Sequence, residues 1–393
     1  MTRARPDGGV RPPSARLRRL ARLPRLATAA ATLLLVLLPA MVAGARLAAP
    51  PAPGELERLH AALATTDAAA GPVPVARSEV ARAFLRSMAL LVPASTVKNE
   101  TELLARARLA QVLVLGGLGC ALYTVALLAG DRLRALLACA WFAMLPPVVD
   151  DGHVLRPEAP AVLFVWLGLA VLVGLAGVRR PRLGLFRREV LTAGCVGICL
   201  GLGVATQPTL GLLLLVPGVV MTLLAARLCW RVGSVVRRRG LLHLPYAAAN
   251  RRLLPWIGTA LLTPTVALLL LQVVVVGPSE GLLPTASGAG LLPAGQPWRG
   301  MLLALLWLGG LGGVFRLGTA LSQRSALAPS LVLWIGVLLS LLGSLAADGV
   351  DRLPQAPGAA IVLAEGCLWA AFLLRRRSRS GRSRMSATGR WAS

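Results

Sequence analysis

Apolar runs of roughly 18 residues or more recur along almost the whole chain, and that is the length an α-helix needs to cross the hydrocarbon core of a bilayer. About ten such runs are readable, over 26–45, 106–130, 133–149, 159–178, 190–206, 209–228, 253–276, 301–320, 326–347 and 358–374. Lipid offers no water to backbone N–H and C=O groups, so only helices or closed barrels can span it. The runs are dense in Leu and Val and show no period-two alternation, which excludes a barrel. The sequence therefore predicts an all-α, polytopic integral membrane protein of about ten transmembrane helices. A hydrophobic content of 56% and a mean hydropathy of +0.70 agree.

The formal charge of +26 first suggests a nucleic-acid partner. Placing the charges against the loops removes that reading. If the Arg-rich start ARLRRLARLPR is cytoplasmic, the segments DRLR, RRPRLGLFRR, RVGSVVRRRG, RLGTALSQR and the tail RRRSRSGRSR are all inside. The whole inside segments to which these stretches belong, NRR at 250–252 included, hold about 31 of the 42 Lys and Arg, the asymmetry of the positive-inside rule. The expected partner is the lipid bilayer, with no nucleic acid. The chain reads as multi-pass in the cell membrane with both termini cytoplasmic, and its basic loops are suited to anionic head groups. About 12 of the 16 Asp and Glu fall on the opposite, outer side, which is where chemistry is expected.

Residues 1–25 are basic and Pro-rich and read as a disordered cytoplasmic start. Residues 26–374 form the membrane domain, within which 46–105 is an extracytoplasmic segment of helical pattern, and 375–393 form a basic cytoplasmic tail. The first apolar run follows basic residues and ends in AMVAGA, as a signal peptide does. Its length and the spans that follow favour an uncleaved first helix. In the outer segment Leu56, Leu59 and Leu63 repeat at helical spacing. SEVARAFLRSMALLVP there reads as an amphipathic helix, lying on the membrane surface or on the protein's own loops. The six cysteines lie in or at the ends of spans without His or acid neighbours and read as small apolar packers; no disulfide, metal or cofactor is expected.

One stretch breaks the apolar rhythm. PPVVDDGHVLRPEAP, at 146–160, joins the third and fourth spans on the acid-rich side. Pro146 and Pro147 are expected to end one helix. Pro157 and Glu158 are expected to open the next, where proline fits the first turn and an acid complements the dipole. Asp150, Asp151, His153 and Arg156 then sit in the turn, either as ordinary loop polarity or as a site in which Arg156 and His153 grip a phosphate. Glu365, about midway along the last span, is expected to be protonated or paired, because a charge at that depth is costly.

The segment from LLARARLAQV through MLPPVVDDGHVLRPEAPAVLF resembles the multispanning GT-C glycosyltransferases that use lipid-linked sugars, in particular bacterial relatives of protein O-mannosyltransferases and aminoarabinose transferases. Carrying the resemblance are a helix start near Arg108-Leu109, an Ala-rich stretch after Gly130, the closing Pro residues and the outer Arg-Pro-acid turn. LTAGCVGICLGLGVATQPTLGLLLLVPGVV is similar to the next block of the family, and DRLPQAPGAAIVLAEG to an Arg-Tyr-x-x-Pro-x-x-Pro segment in which Leu353 replaces the aromatic. The resemblance covers most of residues 26–374.

What it implies is transfer of a sugar from a polyprenyl-phosphate donor to an extracytoplasmic acceptor. By that resemblance Glu55, or secondly Glu57, in PPAPGELERLH is the general base, suited to the role if burial beside lipid raises its pKa. Arg156 and Arg352 neutralise the leaving phosphate. Asp150, Asp151 and His153 shape the pocket. The chain departs from the family in having Glu where Asp is usual, few aromatics in the outer loop, and no extended soluble domain after the last span. Two other readings therefore stay open: a catalytically silent relative with a scaffold or partner role, and a transporter or lipid flippase, for which Glu365, Gln111 and Gln272 are the main polar groups within spans.

Overall fold

The computed structural model describes residues 23–52, 55–56, 59, 100–150, 152–155, 158–177, 186–206, 208–220, 222–223, 226, 299–322, 329–345 and 353–388. Among these there is helix and turn but no strand. The helices are α1 (Leu23–Gly44), α2 (Glu100–Ala129), α3 (Arg132–Met144), the single turn α4 (Pro146–Val149), α5 (Glu158–Gly177), α6 (Phe186–Thr206), α7 (Arg299–Ser322), α8 (Pro329–Leu345) and α9 (Ala356–Thr388). A 3-10 segment, Pro208–Leu215, follows α6, and a 3-10 turn, Leu353–Gln355, leads into α9. Nine of the ten apolar runs fall at least partly on these elements. The run at 253–276 lies outside the described residues.

Among the described residues three helical stretches are long and apolar enough to cross a membrane, Thr101–Ala129, Glu158–Ala176 and Leu353–Arg375. Helices α1, α6 and α7 run for 22, 21 and 24 residues. Helix α3 is short. Asp131 caps it, its carboxylate accepting the Arg134 N–H at 2.8 Å. Extended backbone at Leu145 stops it, and Pro146 opens α4 as its first residue. Thirteen residues at 1.5 Å each make α3 only about 20 Å long, against about 30 Å of hydrocarbon.

Pro146, Pro147 and Glu158 do what their chemistry predicts; Pro157 lies outside the described residues. Glu158 is the first residue of α5, and Asp150 is the C-cap of α4, its N–H donating to the Pro146 carbonyl at 2.8 Å. Two expectations need correction. The helix containing Arg108 begins at Glu100, so the Arg108-Leu109 pair lies two turns inside it. The sixth run opens as a 3-10 helix and not an α-helix, beginning at Pro208, which has no N–H to give.

Helix α5 is the centre of the fold. It packs on α2, α6 and α8, and its Trp166, Leu169 and Leu172 are buried with Leu115, Leu118 and Leu122 of α2 and Phe142 of α3. Glycine sets the closest helix crossings, as expected where lipid supplies no hydrophobic drive between helices and packing must hold them. A methyl group at Gly119 would overlap the Val36 carbonyl oxygen of α1. Helices α7 and α9 meet through a reciprocal pair, Gly309 against the Val362 carbonyl and Gly366 against that of Leu305. The outer faces carry Leu113 of α2 and Trp307, Leu311, Val314 and Phe315 of α7 exposed, apolar surface appropriate to lipid.

Candidate functional site

The chain leaves α1 at Gly44, turns through residues 45–49 and comes back at Glu55, which is helical and fully buried. There it meets Arg108 of α2. The Glu55 Oε1 atom accepts from Arg108 Nε at 3.0 Å and from the Leu155 N–H at 3.0 Å. Oε2 accepts from Arg108 Nη2 at 2.6 Å and from the Ala52 N–H at 2.9 Å. The guanidinium spends its other donors on the preceding turn: Nη1 on the carbonyls of Leu47 (3.1 Å) and Ala49 (2.5 Å), Nη2 on that of Pro50 (3.1 Å). An Arg has five N–H donors and a carboxylate about four acceptor positions. Here all of them are in use.

This knot joins three segments far apart in sequence: the return after α1, the first third of α2, and the 152–155 turn before α5. Leu59, one turn beyond Glu55, packs with Leu104, Ala107 and Leu155, extending the junction with apolar contact. The helical spacing of Leu56 and Leu59 is thus used as predicted; Leu63 lies outside the described residues.

The electrostatic expectation for Glu55 is reversed. Burial alone pushes its pKa up, but hydrogen bonds from Arg108, Leu155 and Ala52, with the Arg108 charge, outweigh that and hold the carboxyl below its ordinary value of 4.5. Burial beside lipid therefore does not make Glu55 a raised-pKa base, because its neighbours are donors and a cation, not hydrocarbon.

Asp150 is near the same end of the bundle but in water, half exposed, with Oδ1 3.3 Å from Nη1 of Arg46. His153 is buried at 8% exposure in the turn after α4. Glu57, Asp151, Arg156 and Arg352 lie outside the described residues. On the same face of α2, one turn past Arg108, Gln111 is fully buried, and its amide makes no hydrogen bond among the described residues. The 152–155 turn brackets that face: Leu155 reaches Arg108 through Glu55, and a Cβ at Gly152 would touch Leu115. Among the described residues no three His, Cys, Asp or Glu side chains converge as metal ligands would.

A second polar cluster lies at the opposite end of α3. Glu365 of α9 is fully buried and faces two guanidiniums. Arg316 Nε of α7 donates to Oε1 at 2.5 Å, and the Trp369 indole N–H reaches the same oxygen at 3.0 Å. Arg134 Nε of α3 lies 2.8 Å from Oε2, a close ion pair whose N–H is not aligned along the contact. Glu365 is thus paired, one of the two states its cost demanded. Its partners were not legible: Arg134 and Arg316 read as loop charges, yet Arg134 is only 3% exposed.

No protein-family model matches the chain, and no curated relative does. Solved structures do. The chain is similar to the crystal structure of the Archaeoglobus fulgidus oligosaccharyltransferase in its apo form, with a TM-score of 0.53 and 14% identity over 89% of this chain and 52% of that one. It is also similar to the archaeal oligosaccharyltransferase AglB from Archaeoglobus fulgidus in complex with an inhibitory peptide and a dolichol-phosphate, with a TM-score of 0.50, 12% identity and the same coverage. The chain spans about half the length of each, 52%. At this identity the likeness concerns the fold, which is an all-α, GT-C-like membrane architecture.

Proposed function

We propose that the chain is a GT-C-like membrane transferase that moves a sugar from a polyprenyl-phosphate donor to an extracytoplasmic acceptor, at the bundle end that holds Glu55, Arg108 and Asp150. The observation that carries this reading is the Glu55 knot. It ties Glu55, Arg108 of α2 and the turn before α5 together, within a fold that resembles an enzyme solved with a dolichol-phosphate. Charge asymmetry supports the outward orientation of that end and the cytoplasmic placement of both termini.

In the reaction a base takes the proton of an acceptor O–H or N–H. The acceptor's lone pair forms the bond to the anomeric carbon, and the sugar–phosphate C–O bond breaks with its electron pair going to the departing phosphate. Glu55 is occupied in holding Arg108, so it acts as a positioning residue, and the base falls to Glu57, the other acid of PPAPGELERLH. Arg156 and Arg352 remain the proposed partners of the leaving phosphate, with Asp150, Asp151 and His153 around the acceptor.

A second reading has a specific observation behind it. Because every acceptor position of the Glu55 carboxylate is filled, the acid that best fits the family's position serves structure, as it would in a catalytically silent relative with a scaffold role. A transfer assay separates the two, using membranes that contain the wild-type chain, Glu55→Gln or Glu57→Gln and radiolabelled polyprenyl-phosphate sugars. Transfer by the wild type that disappears in Glu57→Gln at unchanged protein level supports the enzyme. No transfer from any donor in the panel supports the silent relative.

A further inference from the structure

Gln111 interrupts an apolar stretch of α2, in RLAQVLVL, and its side chain is fully buried. Among the described residues neither the amide oxygen nor the amide nitrogen has a hydrogen-bond partner. An amide carries two N–H donors and two acceptor positions. Leaving them unmet in the interior is costly, whereas Met, of nearly the same shape, would fill the place without that cost. Gln111 is thus a polar group that the fold itself does not use.

Its place follows from the helix. Residues 104, 107, 108, 111 and 115 recur at helical spacing and share one face of α2. The 152–155 turn lies along that face: Leu155 packs with Leu104 and Ala107, and a Cβ at Gly152 would stand 3.0 Å from Leu115. Gln111 falls between these two contacts, about 4.5 Å along the axis from Arg108. It is therefore beside the Glu55 knot and under the turn.

The neighbouring charges are closed. Arg108 spends its donors on Glu55 and three carbonyls, and Glu55 accepts four hydrogen bonds. What Gln111 adds is a neutral group that both donates and accepts. A pair of vicinal hydroxyls is its complement, one donating to the amide oxygen while the other accepts from the amide nitrogen. A carboxylate could use only the N–H and an ammonium only the oxygen, and each would carry its charge into the interior.

We propose that Gln111 is a specificity-determining residue for the donor, reading two hydroxyls of its sugar when the 152–155 turn lifts from α2. The proposal rests on the transferase reading and leaves that reading's base and phosphate partners as they stand. Lifting the turn releases the Leu155 N–H from Glu55 and Leu155 from its apolar contacts, while the two Arg108 hydrogen bonds keep Glu55 in place. An amide kept without a partner under the turn lowers stability, a common cost of a binding group.

Thermal unfolding of the full-length protein in detergent tests this without requiring turnover, with polyprenyl phosphate alone or carrying mannose, glucose or arabinose as the added ligand. Without ligand, Gln111→Met is expected to melt about 2 °C above the wild type. At least one sugar donor is expected to raise the wild-type melting temperature by about 3 °C beyond the rise with polyprenyl phosphate. Gln111→Met should need about tenfold more of that donor for the same rise, and should respond to polyprenyl phosphate as the wild type does. A Gln111→Met protein that melts below the wild type, or does not fold, gives the amide a structural role and overturns the proposal. So does a wild type that no sugar donor stabilises beyond polyprenyl phosphate, or a donor response equal in both proteins. Donor stabilisation that depends on Gln111 but comes without transfer of radiolabelled sugar ends the transferase reading and leaves Gln111 as the sugar contact.

Discussion

Glu55 and Arg108, 53 residues apart in sequence, saturate one another: the carboxylate accepts four hydrogen bonds, two from Arg108, and the guanidinium donates five, with the chain after α1 and the Leu155 N–H supplying every remaining partner. Removing one member leaves a buried charge uncompensated. Glu55→Ala and Arg108→Ala are each expected to lose about 3–5 kcal/mol of stability, measured by thermal unfolding in detergent. The double variant should lose clearly less than the sum, with a coupling of about 1–3 kcal/mol. Additive losses would mean that the pair does not interact as described.

Acid should loosen the same knot. A carboxyl held below its ordinary pKa stabilises the fold in full above the unfolded value of 4.5, and that contribution is lost as pH falls through the folded value. Melting temperatures of the wild type and Glu55→Gln are expected to run parallel from neutral pH down to about 5 and to converge below 4.5. A wild type that instead gains on Glu55→Gln as pH falls towards 4.5 would contradict a depressed Glu55 pKa.

The Arg46–Asp150 pair is different in kind, with its side chains 46% and 53% exposed. Water and salt screen it, so Arg46→Ala is expected to change stability by less than about 1 kcal/mol. Asp150→Asn should be equally mild for folding. A fall in sugar transfer in Asp150→Asn membranes, at unchanged melting temperature, would assign Asp150 to the substrate side of the site.

In the Glu365 cluster the two arginines are not equivalent. Arg134, 3% exposed, should cost more on conversion to Gln than Arg316, 38% exposed, which water can rehydrate. Glu365→Ala leaves both cations facing one another and should cost more than either, on the order of 3–5 kcal/mol. Thermal melting of the three variants orders them, and an Arg316 variant less stable than the Arg134 variant would reverse the assignment.

At the α7–α9 crossing, Gly366→Ala places a methyl against the Leu305 carbonyl oxygen, a backbone atom that cannot swing aside. A loss of about 1–3 kcal/mol is expected. Gly310→Ala, on the same crossing pair but with open space at its Cβ, should be neutral and serves as the control.

How far the sequence reaches is clearest at particular residues. Helical membrane spans were legible because lipid leaves the backbone one local solution, and apolar run length reports it directly. The break at Leu145 to Pro146 and the start of α5 at Glu158 were legible for the same reason: a missing N–H and a helix dipole act within a few residues. Whether Glu365 found partners, and which, was not legible, since Arg134 lies 231 positions before it in the chain. Nor was the sign of the Glu55 pKa shift. Burial was foreseeable from its apolar setting, but its donors come from Arg108, Leu155 and Ala52, and only packing brings them together.

By itself, then, the sequence determined the solvent and the element type, because each depends on composition and short spacing. The tertiary structure alone decided which charges are sequestered, and it made Glu55 one half of a closed ion pair with Arg108. Charges act through space over a few ångströms, and neighbours at that range are set by how helices cross, which no local pattern encodes.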